Sequence, residues 1–221
     1  MRRGAVTAVV RLRASAIGAQ ERRKERTRSA ILDAAQELLL AEGPGVSILA
    51  STRRADVAQG SFHDYFRDKQ DVFRAVADRA METLERETLA RTALIADPLE
   101  RLAAGIRLYG RIAESHPRLG RVILEQGELT LQTRQEHVAM FARALAGLGV
   151  TDLLQLDETP LRISFFISSL RLVMRLRLTD PGLDDAETDR AAEMLLVLLG
   201  ASPEDARRAC AAPLPPAAPA A

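Results

Sequence analysis

Between Gly43 and Asp68 the sequence interrupts its helical pattern three times, at Gly43-Pro44-Gly45, at Asp56-Val57 and again just before Asp68. The segments between those breaks are about ten residues long, too short to hold a helix in water alone, so they must pack on longer helices on either side. The flanking sequence supplies both. From Thr27 the run TRSAILDAAQELLLAEG puts Ile31, Ala35, Leu38 and Leu39 on one face, and Gly43 ends it. After the breaks, Asp68 is placed as a cap with Asp71 at the third helical position, and Val72, Phe73, Val76, Ala77, Ala80 and Leu84 form a long apolar stripe. Ser47 caps the first short helix, which is expected to run to about Ala55.

The second short segment, DVAQGSFHDYFRDK over residues 56–69, holds three of the eight Phe and Tyr residues of the 221-residue chain, with His63 beside them. Phe62 and Phe66 are four apart and share a face, which suits burial against Ile31, Leu38 and Val72. Gln59, Ser61, His63, Asp64 and Tyr65 are then left facing outward. Gly60 allows close approach of the backbone to a neighbour or a phosphate, and Lys69 adds a cation beside the N-terminal amides of the next helix. Helix, short helix, tight turn, short helix and long helix is the layout of a helix-turn-helix unit, whose second short helix lies in the DNA major groove. The expected DNA-binding residues are Ser47, Gln59, Gly60, Ser61, His63, Asp64, Tyr65 and Lys69.

Charge agrees with a polyanionic partner at this end. Residues 1–28 carry nine basic and two acidic side chains, leaving 22 basic and 28 acidic for the rest. Residues 1–26 are therefore expected to be a basic, flexible arm, with Arg22, Arg23, Lys24, Arg26 and Arg28 placed for phosphate or minor-groove contact. A solubilising leader, an upstream start or an organellar transit peptide is the alternative for residues 1–18.

The remaining chain reads as helix and turn without a strand. Asp97-Pro98 with Glu100 opens a helix to about Ser115, Pro117 one to Gln126, and further helices are expected over 128–148, 161–178 and 185–199, the last ended by Gly200. The Pro/Ala-rich residues 203–221 are expected to be a disordered tail. No apolar run reaches the length of a membrane-spanning helix. Cys210 stands alone, so no intramolecular disulfide forms and the cytoplasm is the expected compartment. No phosphate loop, nucleophile elbow, metalloprotease helix or defensible carboxylate pair is found, so no enzyme, cofactor or metal is expected. His63, His116 and His137 lie on separate helices; His116 is placed at a helix end and His137 at a solvated position. Arg171, Arg175 and Arg177 are expected as surface or interface charges.

Residues 27–77 resemble the DNA-binding domain of the tetracycline-repressor (TetR) family of transcriptional regulators. The resemblance is carried by Thr27, Ile31, Leu32, Ala34 and Ala35, by Glu42-Gly43, by Arg54, Ala55 and Val57, by Gly60-Ser61-Phe62 and Tyr65-Phe66, and by Lys69 and Phe73. It departs from the family at Ser51 and Thr52, where a polar pair in a buried seam predicts loose packing, at Asp56, where glycine is usual, and at His63 and Asp64. The resemblance implies an all-α fold: an N-terminal three-helix helix-turn-helix domain, residues 27–72, joined by a long helix to a larger C-terminal ligand-binding and dimerisation domain, residues 73–202. It implies a homodimer on a palindromic double-stranded DNA operator, released by a small-molecule effector, and no membrane partner. Candidate ligand-binding residues are Met81, Leu84, Leu102, Ile106, Tyr109, Ile123, Phe141, Phe165 and Met174, with Arg107 and Glu125 as polar anchors. Surplus apolar residues Leu161, Phe165, Leu172, Met174, Met194, Leu195, Val197, Leu198 and Leu199 place the dimer interface on residues 161–199. The competing reading is an all-helical interaction or adaptor protein of the same fold without operator binding.

Overall fold

The computed structural model describes residues 2–45, 47–112, 116–125, 131–152, 154, 160–180 and 182–216. Among these the chain is helical and has no strand. In chain order the helices are α1 (Arg2–Glu42), α2 (Ile48–Arg54), α3 (Gln59–Phe62), α4 (Lys69–Thr92), α5 (Pro98–Gly110), α6 (Pro117–Glu125), α7 (Leu131–Leu148), α8 (Pro160–Thr179), α9 (Asp185–Leu199) and α10 (Pro203–Ala211). The chain divides into two compact units, Met1–Val76 and Ala77–Ala221, with the boundary inside α4.

In the first unit the helix starts at Arg2 rather than Thr27, so the basic segment expected as a flexible arm continues α1. Ile31, Leu32, Ala34, Ala35 and Leu39 are buried on α1, and Leu38 is only half-buried. Ser47 caps α2 by accepting from the Ala50 amide at 3.1 Å. Asp56 makes the turn after α2 with φ +54°, the left-handed conformation that Asp tolerates better than most side chains. Asp68 caps α4 by accepting from the Asp71 amide at 2.8 Å, and the Asp71 carboxylate accepts from the Arg67 amide at 3.1 Å.

The second unit packs α5, α7, α8, α9 and α10 around Leu145, Leu154, Phe166, Leu196 and Leu199. Asp97 caps α5 by accepting from the Leu99 and Glu100 amides, and α5 ends at Gly110, short of Ser115. Gly200 ends α9 at φ +113°, and a side chain there would place its Cβ 2.1 Å from the Leu154 carbonyl oxygen. No residue but glycine fits.

The expected disordered tail is corrected over residues 203–211, which form α10. Ser202 accepts from the Asp205 amide at 3.1 Å, Pro203 occupies the first turn, and Ala206, Ala209 and Cys210 are buried. Composition masked these start signals. Burial pushes the Cys210 thiol up to about 12, which suits a core side chain. Arg107 donates to Asp189 at 2.8 and 2.9 Å and to the Ala212 carbonyl at 2.7 Å, while Arg91 donates to the Pro215 carbonyl at 2.7 Å. These bonds tie the chain beyond α10 back to α5 and α4.

Candidate DNA-reading surface and ligand cavity

In the first unit, Phe62 and Phe66 are buried with ring centroids 5.8 Å apart, and the Arg28 guanidinium lies 5.3 Å from the Phe66 centroid. This pair anchors α3 and the turn after it. Gly60, His63 and Asp64 are exposed, and Ser61 and Tyr65 are half-exposed. Space beside Gly60 is open, with no atom within 4 Å of a would-be Cβ. The side chain of Gln59 lies outside the described residues. Lys69 opens α4 with its ammonium 5.3 Å from the Phe73 ring, and Ser47 is exposed.

One expectation about this segment is corrected. α3 ends at Phe62, so His63 and Tyr65 stand in a turn and Phe66 just after it, none of them in the helix. Ala58 has no side chain to cap the start, and the Asp64 and Tyr65 amides donate three residues back, to the Ser61 and Phe62 carbonyls. The chain tightens and the helix stops. Phe66 still reaches the core, because its amide donates to the Phe62 carbonyl at 3.0 Å and keeps the four-residue spacing.

The polar pair in α2 is buried but satisfied. Ser51 donates to the Ser47 carbonyl, and Thr52 to those of Ile48 and Leu49, so neither hydroxyl is stranded in the seam.

In the second unit a cavity of about 190 Å³, partly open to solvent, is lined by α4, α5, α6, α7 and α8. Seven of the nine expected ligand residues line it: Met81, Leu102, Ile106, Tyr109, Ile123, Phe141 and Met174. Leu84 is buried elsewhere and Phe165 is exposed; both are corrected. Phe166, one residue on and about 100° round the helix, takes the wall position and stacks on Phe141 with centroids 4.5 Å apart. Glu85, Thr88 and Thr92, not among the expected residues, also line it, and so does His137, whose expected solvated position is corrected.

The polar groups around the cavity divide into engaged and unengaged. Arg107 is not an anchor, because Asp189 and the Ala212 carbonyl occupy it, and the Glu125 side chain lies outside the described residues. Arg171 lines the cavity rather than the surface. It donates to the Ile123 carbonyl at 3.1 Å, and burial, then the charge of Arg175, lowers its pKa. Arg177 is likewise buried, paired with Asp185 at 3.0 Å. Burial, reinforced by the charge of Glu85, raises the Tyr109 pKa, so that phenol stays a neutral donor. Among the described residues His137 and His116 each present a buried Nδ1 without a hydrogen-bond partner, and the Nε2 of His116 pairs with Glu87 at 3.2 Å. No group of His, Cys, Asp and Glu among the described residues could hold a metal ion, and no described helix is long and apolar enough to cross a membrane.

A third surface lies on α8 and α9. Leu161, Phe165, Leu172 and Leu176 are exposed along α8, as are Met194 and Val197 on α9. Met174, Leu195 and Leu199, expected with them, are buried within this chain and are removed from the surplus.

Comparison with known proteins matches both units. Residues 31–76 match the model of bacterial regulatory proteins of the tetR family, and residues 97–211 that of the tetracyclin repressor-like C-terminal domain. A repressor of Mycolicibacterium smegmatis, the HTH-type transcriptional repressor LfrR, is 34% identical over 101 residues, which are 46% of this chain. The match spans about half of that relative, 49% of its length. RolR solved with resorcinol superposes with a TM-score of 0.62 at 22% identity, over 90% of this chain and all of the other. FadR of Bacillus subtilis, solved with stearoyl-CoA, gives 0.57 at 21% identity over 76% of this chain and 97% of its own. At such identities the likeness is one of fold.

Proposed function

The chain belongs to the tetR family of bacterial regulatory proteins, and we propose that it is a homodimeric repressor that holds a palindromic DNA site and releases it when a small molecule fills the cavity. The observation that carries this reading is the division of residues 59–66: two buried rings fix the segment, and Gly60, His63 and Asp64 stand free on its outer side. His63 and Tyr65 can hydrogen-bond to base edges or phosphates, and Asp64 can accept from a cytosine amino group. Ser47, Gly60, Ser61 and Lys69 are assigned to backbone positioning, together with Gln59. The relatives support the two remaining parts, since one is named a repressor and two were solved with small molecules.

The exposed stripe of α8 with Met194 and Val197 of α9 is the proposed dimer face. Twofold pairing would bury it as a four-helix bundle and set two reading segments about 34 to 36 Å apart. The adaptor reading drew on Ser51 and Thr52, whose hydroxyls are satisfied, and no other observation favours it. Retention on duplex DNA across a salt series tests the proposal: affinity should fall steeply with salt through phosphate contacts, and retention independent of salt, or none, would overturn it.

A further inference from the structure

The cavity's chemistry goes further than its presence. Its walls are mostly apolar, with the Phe141–Phe166 stack on one side and Tyr109 on another. Among its ionised groups Arg101 donates twice to the Ile95 carbonyl and Arg171 donates to that of Ile123. Glu85 lines the same space, half-buried, and among the described residues it neither accepts a hydrogen bond nor forms an ion pair. A carboxylate is an acceptor only, so what it lacks is a donor. Tyr109, which feels its charge, and the unpaired His137 Nδ1 add two further hydrogen-bonding groups.

Resting on the cavity as the effector site, we infer that its ligand is a compact aromatic amine, with its ring against Phe141, Phe166 and Tyr109 and its N–H donors turned to Glu85. The size agrees: an engineered cavity of about 150 Å³ holds benzene, and about 190 Å³ admits one small ring system with a short side chain. An aromatic wall attracts a cation through the ring faces, and a charged acceptor roughly doubles the strength of the hydrogen bond it receives. A carboxylate ligand would instead bring like charge against Glu85, and a neutral alcohol would leave that charge uncompensated.

The chain contains no Trp, so indole fluorescence reports a bound ligand without background. Tryptamine, tryptophol and indole-3-acetate share one ring and differ only in the head group; each is titrated against the full chain at pH 7 by fluorescence anisotropy. Tryptamine should bind at least about tenfold more tightly than the other two, and Glu85→Gln should cancel that preference by weakening tryptamine binding. Gly105→Leu, whose side chain would start from α5 3.7 Å from Thr88 on the facing cavity wall, should abolish binding of all three. Equal binding of the three, tightest binding of indole-3-acetate, no tryptamine binding up to millimolar concentration, or a preference that survives Glu85→Gln overturns the amine assignment. Binding that Gly105→Leu leaves intact overturns the cavity reading beneath it.

Discussion

The reading segment of the first unit and the cavity of the second both depend on aromatic rings, and they use them in opposite ways. At residues 59–66 the rings fill space: Phe62 and Phe66 go into the core so that small and polar neighbours are held outward. Around the cavity Phe141, Phe166 and Tyr109 border space left unfilled, and their faces form its aromatic wall. The first arrangement is made by one short stretch of chain, the second by five helices meeting. Losing a ring should therefore be costly to stability at residues 59–66 and at the core ring Phe166, and less costly at the half-buried cavity rings Phe141 and Tyr109.

The largest expected effect breaks this contrast most sharply. Phe62→Ala removes a fully buried ring and should cost about 3 to 5 kcal/mol in the first unit, whereas Phe141→Ala removes a half-buried ring from the cavity wall and should cost about half as much. Denaturant titration of the two variants compares them directly; equal losses would end the distinction.

Next in size is the ion-pair cluster of the second unit. Arg107→Ala leaves Asp189 with Arg111 alone and frees the Ala212 carbonyl, and should cost about 3 kcal/mol. Burial by itself would raise the Asp189 carboxyl, but Arg107 and Arg111 together outweigh it and hold it below the usual carboxylate range. Its folded pKa is thus depressed. The stability it adds is fully present above the unfolded carboxyl value of about 3.9 and is lost as pH falls through the lower folded value. Thermal melts of Asp189→Asn and the parent chain should therefore differ most at neutral pH and converge in acid below about pH 4.

A smaller effect is expected at the α8–α9 face. Phe165→Asp and Met194→Asp alter exposed side chains, so each subunit should stay folded while light scattering falls from a doubled mass towards the 24.1 kDa of one chain. Leu195 is unsuited to this test because it is buried within the subunit. The smallest effect is at the N-terminal end: removing residues 1–26 should weaken DNA binding about equally for all sequences and flatten the salt slope.

The same contrast explains what was legible in the sequence. Caps and breaks act within a few residues, and Ser47, Asp56, Asp68, Asp97 and Gly200 could be read before any packing was known. So could the burial of Phe62 and Phe66. The end of α3 was not legible, because the turn after Phe62 preserves the spacing that a helix would give. The cavity required the rotation of five helices about their own axes. In α8 the run Ile163 to Ile167 is apolar on several sides, and nothing local decides whether Phe165 or Phe166 faces inward. Arg107 and Arg171 were misplaced for the same reason, since their partners lie 82 and 48 residues further along or back in the chain.

The central claim is that the outer side of residues 59–66 reads DNA, and the most direct test is anisotropy of a labelled operator duplex titrated with the parent chain and with His63→Ala/Tyr65→Ala. Each substitution should cost about 1 to 3 kcal/mol of specific binding with the helical content and melting temperature unchanged. An affinity for the operator equal to that of the parent chain, in a folded double variant, would contradict the claim.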